Sequence, residues 1–167
     1  NSKSIVEKHS EFVDIDYIYF PGNSKQTPAY EDAMKRYKGK DIWILTIDID
    51  EFLRPLNGTK IKEWLLSFSS EVSQILVPWT IYGSAGHEKR PKGLVINNYP
   101  YHSNLNFITE YKSIVKPELV RASFMGGHFY KTVGKIVSES GKKIWYYPYV
   151  LLIGSRPSSK NFMTINH

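Results

Sequence analysis

The 167-residue sequence contains no cysteine, which excludes disulfides and thiolate metal sites. A chain without such staples must hold itself by burial, and it fits a reducing compartment. No run of 18 apolar residues occurs, so no segment has the length to cross a bilayer as a helix. Residues 1–4 are polar, and no apolar signal-peptide core follows them. Together these absences point to a cytoplasmic location. Acid is also in short supply: 16 Asp and Glu stand against 22 Lys and Arg, a formal net charge of +6. That balance favours anionic partners such as nucleic acid, phosphorylated small molecules, or anionic lipid met at the membrane periphery. The cations are scattered, however. Neither a basic arm nor a nucleic-acid-binding module is visible, and nucleic acid is not expected as a partner.

What is present suffices for one domain spanning residues 1–167, since 41% of residues are hydrophobic. Ser4 and Glu7 have the spacing of a capping box, with Ile5, Val6, His9 and Phe12 on one helical face. Residues 13–20 alternate as a strand. Thr27 before Pro28 predicts a second helix start, with Tyr30, Ala33, Met34 and Tyr37 as its buried stripe. Residues 42–47 predict a short buried strand. Thr59 is the expected cap of a helix that buries Ile61, Trp64, Leu65 and Phe68. Residues 74–82 predict another strand, with Pro78 marking an edge or bulge. The alternation over residues 4–82 predicts an α/β fold with a mixed, mostly parallel sheet flanked by helices. After Tyr82 comes a glycine-rich basic loop. Short strands follow at 113–116 and 127–132, then a hairpin over 134–150 turning at Ser140-Gly141.

The stretch ILTIDIDEFLRP, residues 44–55, runs an apolar strand into Asp48, Asp50 and Glu51. Side chains alternate along a strand, so Asp48 and Asp50 are expected to point the same way at its carboxyl end. Ligands of open α/β sheets bind at such ends. Two carboxylates there call for a positive partner, and Mn²⁺ or Mg²⁺ bridging to phosphate oxygens is one answer. A solvated strand end beside a helix N-terminus is another. A third is a haloacid-dehalogenase-like phosphatase, which also follows an apolar strand with Asp-x-Asp. Here Glu51-Phe52 replaces the usual continuation, and no later acidic pair matches that family's second metal motif.

Two further stretches carry chemistry. In residues 78–94, Gly83, Ser84 and Gly86 offer backbone N–H groups for an oxyanion, and His87, Glu88, Lys89 and Arg90 add titratable and cationic groups. Trp79 and Tyr82 serve either a core or a platform for a sugar ring. In residues 123–131, His128 follows two glycines and is a candidate third ligand for Mn²⁺. An ordinary surface loop and a structural histidine remain the plain alternatives for these two stretches.

These blocks occur in one collinear order from about Pro28 to His167: WILTIDIDEFLRP, WTIYGSAGHEKRPKG, KSIVKPELV, GGHFY and the terminal INH. In that order they resemble the glycosyltransferase family 92-like group, GT-A-type enzymes often found in bacterial surface polysaccharide assembly. The resemblance implies transfer of a hexose from a nucleotide sugar, UDP-galactose or a similar UDP-hexose, to a glycan or glycolipid acceptor. It implies that Asp48 and Asp50 form the DxD motif, with Asp50 as direct Mn²⁺ (or Mg²⁺) ligand and Asp48 near the donor's ribose or a bound water. His128 becomes the later metal ligand. Lys112 and Lys116 become neutralisers of phosphate. Trp79, Tyr82, Gly83, Ser84, Gly86 and Arg90 become substrate-binding. Glu88, with His87 as runner-up, becomes the base that deprotonates the acceptor in an inverting displacement. Relatives of this type begin with two nucleotide-facing strands, and the opening NSKSIVEKHS resembles the end of the second of these elements. The expectation is therefore a domain incomplete at its N-terminus, with an exposed sheet edge open to homodimer pairing. A non-catalytic sugar- or nucleotide-binding remnant of the same scaffold is the alternative to an active enzyme.

Overall fold

The apolar run VSQILVPWT becomes the central strand β3 (Val72–Thr80). The computed structural model describes residues 2–12, 14–104, 110–123, 126–144 and 160–167. Within it, every residue of β3 except Trp79 is buried, as a strand covered on both faces requires. Strand β4 (Tyr111–Val115) pairs with β3 antiparallel, from Gln74 opposite Val115 to Pro78 opposite Tyr111. On the other side, parallel β7 (Lys135–Ser138) covers residues 72–76, and parallel β8 (Met163–Asn166) takes over at Trp79 and Thr80. β1 (Ile44–Leu45) joins β4 antiparallel, and β2 (Phe52–Pro55) joins β8 antiparallel. The sheet order is β1-β4-β3-β8-β2, with β7 beside β3. β5 (Val120–Ser123) and β6 (Tyr130–Thr132) form a separate antiparallel pair. The fold is thus α/β with a mixed sheet, as expected. Its parallel ladders are those of β7 and β8 on β3, and its other ladders are antiparallel.

Pro78 lies in this central strand, not at an edge. It falls between Leu76, the last residue paired with β7, and Trp79, the first paired with β8. A missing N–H is tolerated at that gap, while the Pro78 carbonyl accepts the Thr164 hydroxyl at 2.9 Å.

Two helices cover the sheet. α2 (Gln26–Arg36) buries Met34 against Val115 and Tyr130. α3 (Ile61–Leu66) buries Trp64 among Ile75, Val77, Ile114 and Ile165, and the Trp64 indole N–H donates to the Glu139 carbonyl at 2.9 Å. α1 (Ser2–His9) starts before the expected cap, which places Ser4 inside the helix. Lys25 and Lys60, not Thr27 and Thr59, hold the cap positions of α2 and α3. Pro28 sits in the first turn of α2, where its missing donor breaks no bond.

Residues 14–20 form no strand, and Val13 lies outside the described residues. Alternation specifies a strand only where a neighbour supplies a ladder, and none pairs with this segment among the described residues. The expected hairpin is present to Ile144, with Val137 bridged to Lys143 around Gly141; its residues 145–150 lie outside the described set. Among the described residues no helix is long and apolar enough to cross a membrane.

Candidate active site

Beyond β1 the chain does not continue as a strand. The Glu51 N–H donates to the Asp48 carbonyl at 3.1 Å, closing a turn over residues 48–51. The Glu51 side chain folds back, and its Oε2 accepts the Asp48 N–H at 2.7 Å. Asp48 and Asp50 are therefore placed by a turn and not by strand alternation, and they meet different partners. Ile49 occupies the tip and is 96% exposed.

Asp48 points to the protein. Its Oδ2 accepts from Lys112 Nζ at 2.8 Å, and its Oδ1 accepts from Gln26 Nε2 at 2.7 Å and the Tyr30 hydroxyl at 3.4 Å. The Lys112 contact, foremost among several hydrogen bonds, holds the Asp48 carboxyl below its usual range. Lys112 is opposite Val77 in the β3–β4 ladder, so it projects from the same side of the sheet as Trp79. Its side chain is 1% exposed, and its ammonium also lies 3.2 Å from Oε2 of fully buried Glu51. Burial alone would lower the Lys112 pKa; the Asp48 and Glu51 carboxylates outweigh it and raise the value.

Asp50 points away from this network. Its exposed Oδ2 lies 4.0 Å from His167 Nε2. The His167 ring stacks on Trp79, with centroids 4.2 Å apart and planes 13° apart. Trp79 also meets the His128 ring edge-on at 5.3 Å. His128 Nδ1 lies 2.9 Å from the Tyr111 carbonyl. A carbonyl can only accept, so Nδ1 carries the proton and Nε2 keeps its lone pair in the neutral ring.

Beside Asp50 and His167 opens a groove of about 370 Å³. Phe52, Leu53, Arg54 and Pro55 of β2 line one part of it. Val95, Ile96 and Tyr99, from the short helix α4 (Val95–Asn98) and its end, line another, and Tyr82 and Asn166 complete it. Tyr82 accepts an N–H from Arg54 at 3.3 Å. Among the described residues, buried Asn166 Oδ1 of the groove lining has no hydrogen-bond partner, and neither do Glu51 Oε1 and Trp79 Nε1, whose side chains lie outside that lining.

Other expected site residues fall elsewhere. Lys116 follows the end of β4, four residues from Lys112 and about 13 Å away, with its ammonium over the Trp43 ring. Gly83 N–H is taken by the Tyr101 carbonyl at 3.0 Å. Ser84 and Gly86 shape a turn in which the His87 N–H donates to the Ser84 carbonyl. His87 touches Tyr99 and the Asn98 carbonyl but does not line the groove. Glu88 and Arg90 are exposed and likewise outside the lining. Asp48, Asp50 and His128 do not form one ligand set: among the described residues no three acid or histidine side chains gather as metal ligands.

The model of glycosyltransferase family 92 matches residues 9–152. The chain belongs to glycosyltransferase family 92. No curated protein matches the sequence. Family 92 membership implies glycosyl transfer from a nucleotide-sugar donor to an acceptor. The geometry brings forward two residues that sequence reasoning did not select. His167 stands in the terminal INH block, but only β8 brings it to Asp50. Glu51 was read as part of an acidic cluster, and its burial depends on the turn that folds it over Lys112.

Proposed function

We propose that this family 92 chain transfers a hexose from a UDP-linked sugar to a glycan or glycolipid acceptor, with a divalent ion at Asp50 and His167. The observation that carries this reading is the division of labour in the Asp-x-Asp pair. Both Asp48 oxygens are engaged by protein groups, while Asp50 stands exposed beside an imidazole nitrogen. A carboxylate beside an imidazole suits Mn²⁺ better than oxygen-seeking Mg²⁺, and such an ion takes few protein ligands when phosphate oxygens complete the shell. Asp50 and His167 would hold the ion, and the bound ion would offset charge growing on the departing diphosphate.

The chain's own residues supply the rest. Lys112 and Glu51 fix the turn that presents Asp50. Trp79 holds His167 by stacking. The groove from Asp50 to Tyr99 has apolar and aromatic walls that suit the hydrophobic face of a pyranose. Calorimetry with UDP and Mn²⁺ tests the reading. Metal-dependent UDP binding that disappears in Asp50→Ala and in His167→Ala supports it. No binding by a folded chain sinks it, and binding without any turnover of nucleotide sugars favours a non-catalytic remnant.

A further inference from the structure

The loop that carries α4 exposes apolar side chains although it is firmly built. Its ends close where Gly83 N–H donates to the Tyr101 carbonyl at 3.0 Å and Tyr82 bridges His102. Inside, the Asn98 amide donates to the Lys92 and Leu94 carbonyls, both at 3.0 Å, and the Asn98 carbonyl meets His87 Nε2 at 3.2 Å. Polar bonds thus knit the loop from within. Its larger apolar residues are turned outward: Leu94 and Ile96 are each 65% exposed and Tyr101 is 72% exposed. Single exposed apolar residues need no explanation, but several on one short built loop do.

Charge indicates what covers them. Lys89, Arg90 and Lys92 immediately precede Leu94, all three are exposed, and Glu88 is the only acid between residues 83 and 101. None of the three cations makes an ion pair among the described residues. Cations beside outward apolar and aromatic side chains match the two layers of an anionic lipid surface, headgroup phosphate and acyl boundary.

We propose that the 83–101 loop docks on an anionic lipid surface, with Leu94, Ile96 and Tyr101 entering the interface and Lys89, Arg90 and Lys92 meeting phosphate. Val95 and Ile96 also line the groove beside Asp50, so docking sets the groove at the lipid surface. If the glycosyl-transfer reading above holds, on which this last step rests, the acceptor is carried on a lipid.

Vesicle co-sedimentation of the full chain tests the docking. The chain should bind phosphatidylcholine vesicles containing phosphatidylglycerol at low salt, and bind phosphatidylcholine alone far less. Charge reversal at Lys89, Arg90 and Lys92 should weaken binding roughly tenfold or more. Leu94→Ser with Ile96→Ser, checked for native circular dichroism, should weaken it independently. Asp50→Ala should bind vesicles as the parent does, which separates docking from the metal and donor reading. No binding to phosphatidylglycerol vesicles overturns the proposal. So does binding that survives both loop variants, and so does a dimer in light scattering that the Leu94/Ile96 variant dissolves while vesicle binding is absent.

Discussion

Lys112 Nζ lies 2.8 Å from Asp48 Oδ2, so the first aspartate of the Asp-x-Asp pair carries its own counter-charge. Two neighbouring carboxylates need something positive between or beyond them. Here a buried ammonium serves Asp48 and Glu51, and Asp50 is left exposed beside His167. The pair is asymmetric: one acid is tied into the fold and the other faces the opening.

The buried ammonium should be costly to remove. In Lys112→Met, Glu51 is left fully buried with no cation, and breaking one side of a buried pair costs about 3–5 kcal/mol. The double variant Lys112→Met with Glu51→Gln removes the stranded charge and should recover part of the loss. Urea unfolding checks both. A Lys112→Met midpoint close to that of the parent would show that the ammonium does not stabilise the turn.

The two aspartates should separate by experiment. Asp50 is exposed, and His167 Nε2 lies 4.0 Å from its Oδ2. Asp50→Asn should change stability by no more than about 0.5 kcal/mol while abolishing Mn²⁺-dependent UDP binding. Asp48→Asn removes the charge held by Lys112 and should lower the urea midpoint clearly more than Asp50→Asn does. Equal stability losses from the two variants would contradict the asymmetry.

Much of this arrangement was legible in the sequence, and the rest was not for definable reasons. The run at 72–80, Trp64 of α3 and the acid cluster after Leu45 all showed in local pattern, whereas Ile61 of the expected stripe is exposed. Local pattern cannot show that Glu51 folds back on the Asp48 N–H, because that depends on a turn. Nor can it place His167 beside Asp50, since that requires β8 to lie parallel to β3 from a sequence distance of more than eighty residues. Pro78 misled for a similar reason: its tolerance comes from a change of partner strand at that point. Residues 14–20 had strand alternation but no ladder to join.

Tyr130 should give the fold an alkaline limb. Burial pushes its hydroxyl up to about 12, and it donates to Thr46 Oγ1 at 3.1 Å. The group is protonated in both folded and unfolded chains below the unfolded value of 10.0, so its contribution is complete there. Above that value the unfolded chain ionises first, and stability falls by about 1.4 kcal/mol per pH unit until the folded value is reached. Tyr130→Phe should be less stable near neutrality by about 1 kcal/mol, the net worth of the hydrogen bond. The gap should then close as pH rises above about 10. Urea midpoints across that range decide it, and a gap that stays constant would mean Tyr130 titrates alike in both states.

Gly127 should tolerate no side chain, for reasons of both backbone and space. Its φ is +57°, in the left-handed region, and an added Cβ would come 2.8 Å from Thr46 Oγ1 and 3.2 Å from Tyr30 Cε2. Thr46 receives the Tyr130 hydroxyl, and Tyr30 reaches Asp48, so the methyl would press on both supports of the site. Gly58 is the control: its φ is +71°, and nothing lies within 4 Å of an added Cβ. Gly58→Ala carries backbone strain alone, about 1–2 kcal/mol. Gly127→Ala carries similar strain plus overpacking of about 1–3 kcal/mol. It should therefore lower the urea midpoint more than Gly58→Ala and weaken UDP–Mn²⁺ binding, which Gly58→Ala should leave unchanged. Equal midpoints in the two variants would mean that Thr46 and Tyr30 yield without loss, and that the wall behind Asp48 is softer than its packing implies.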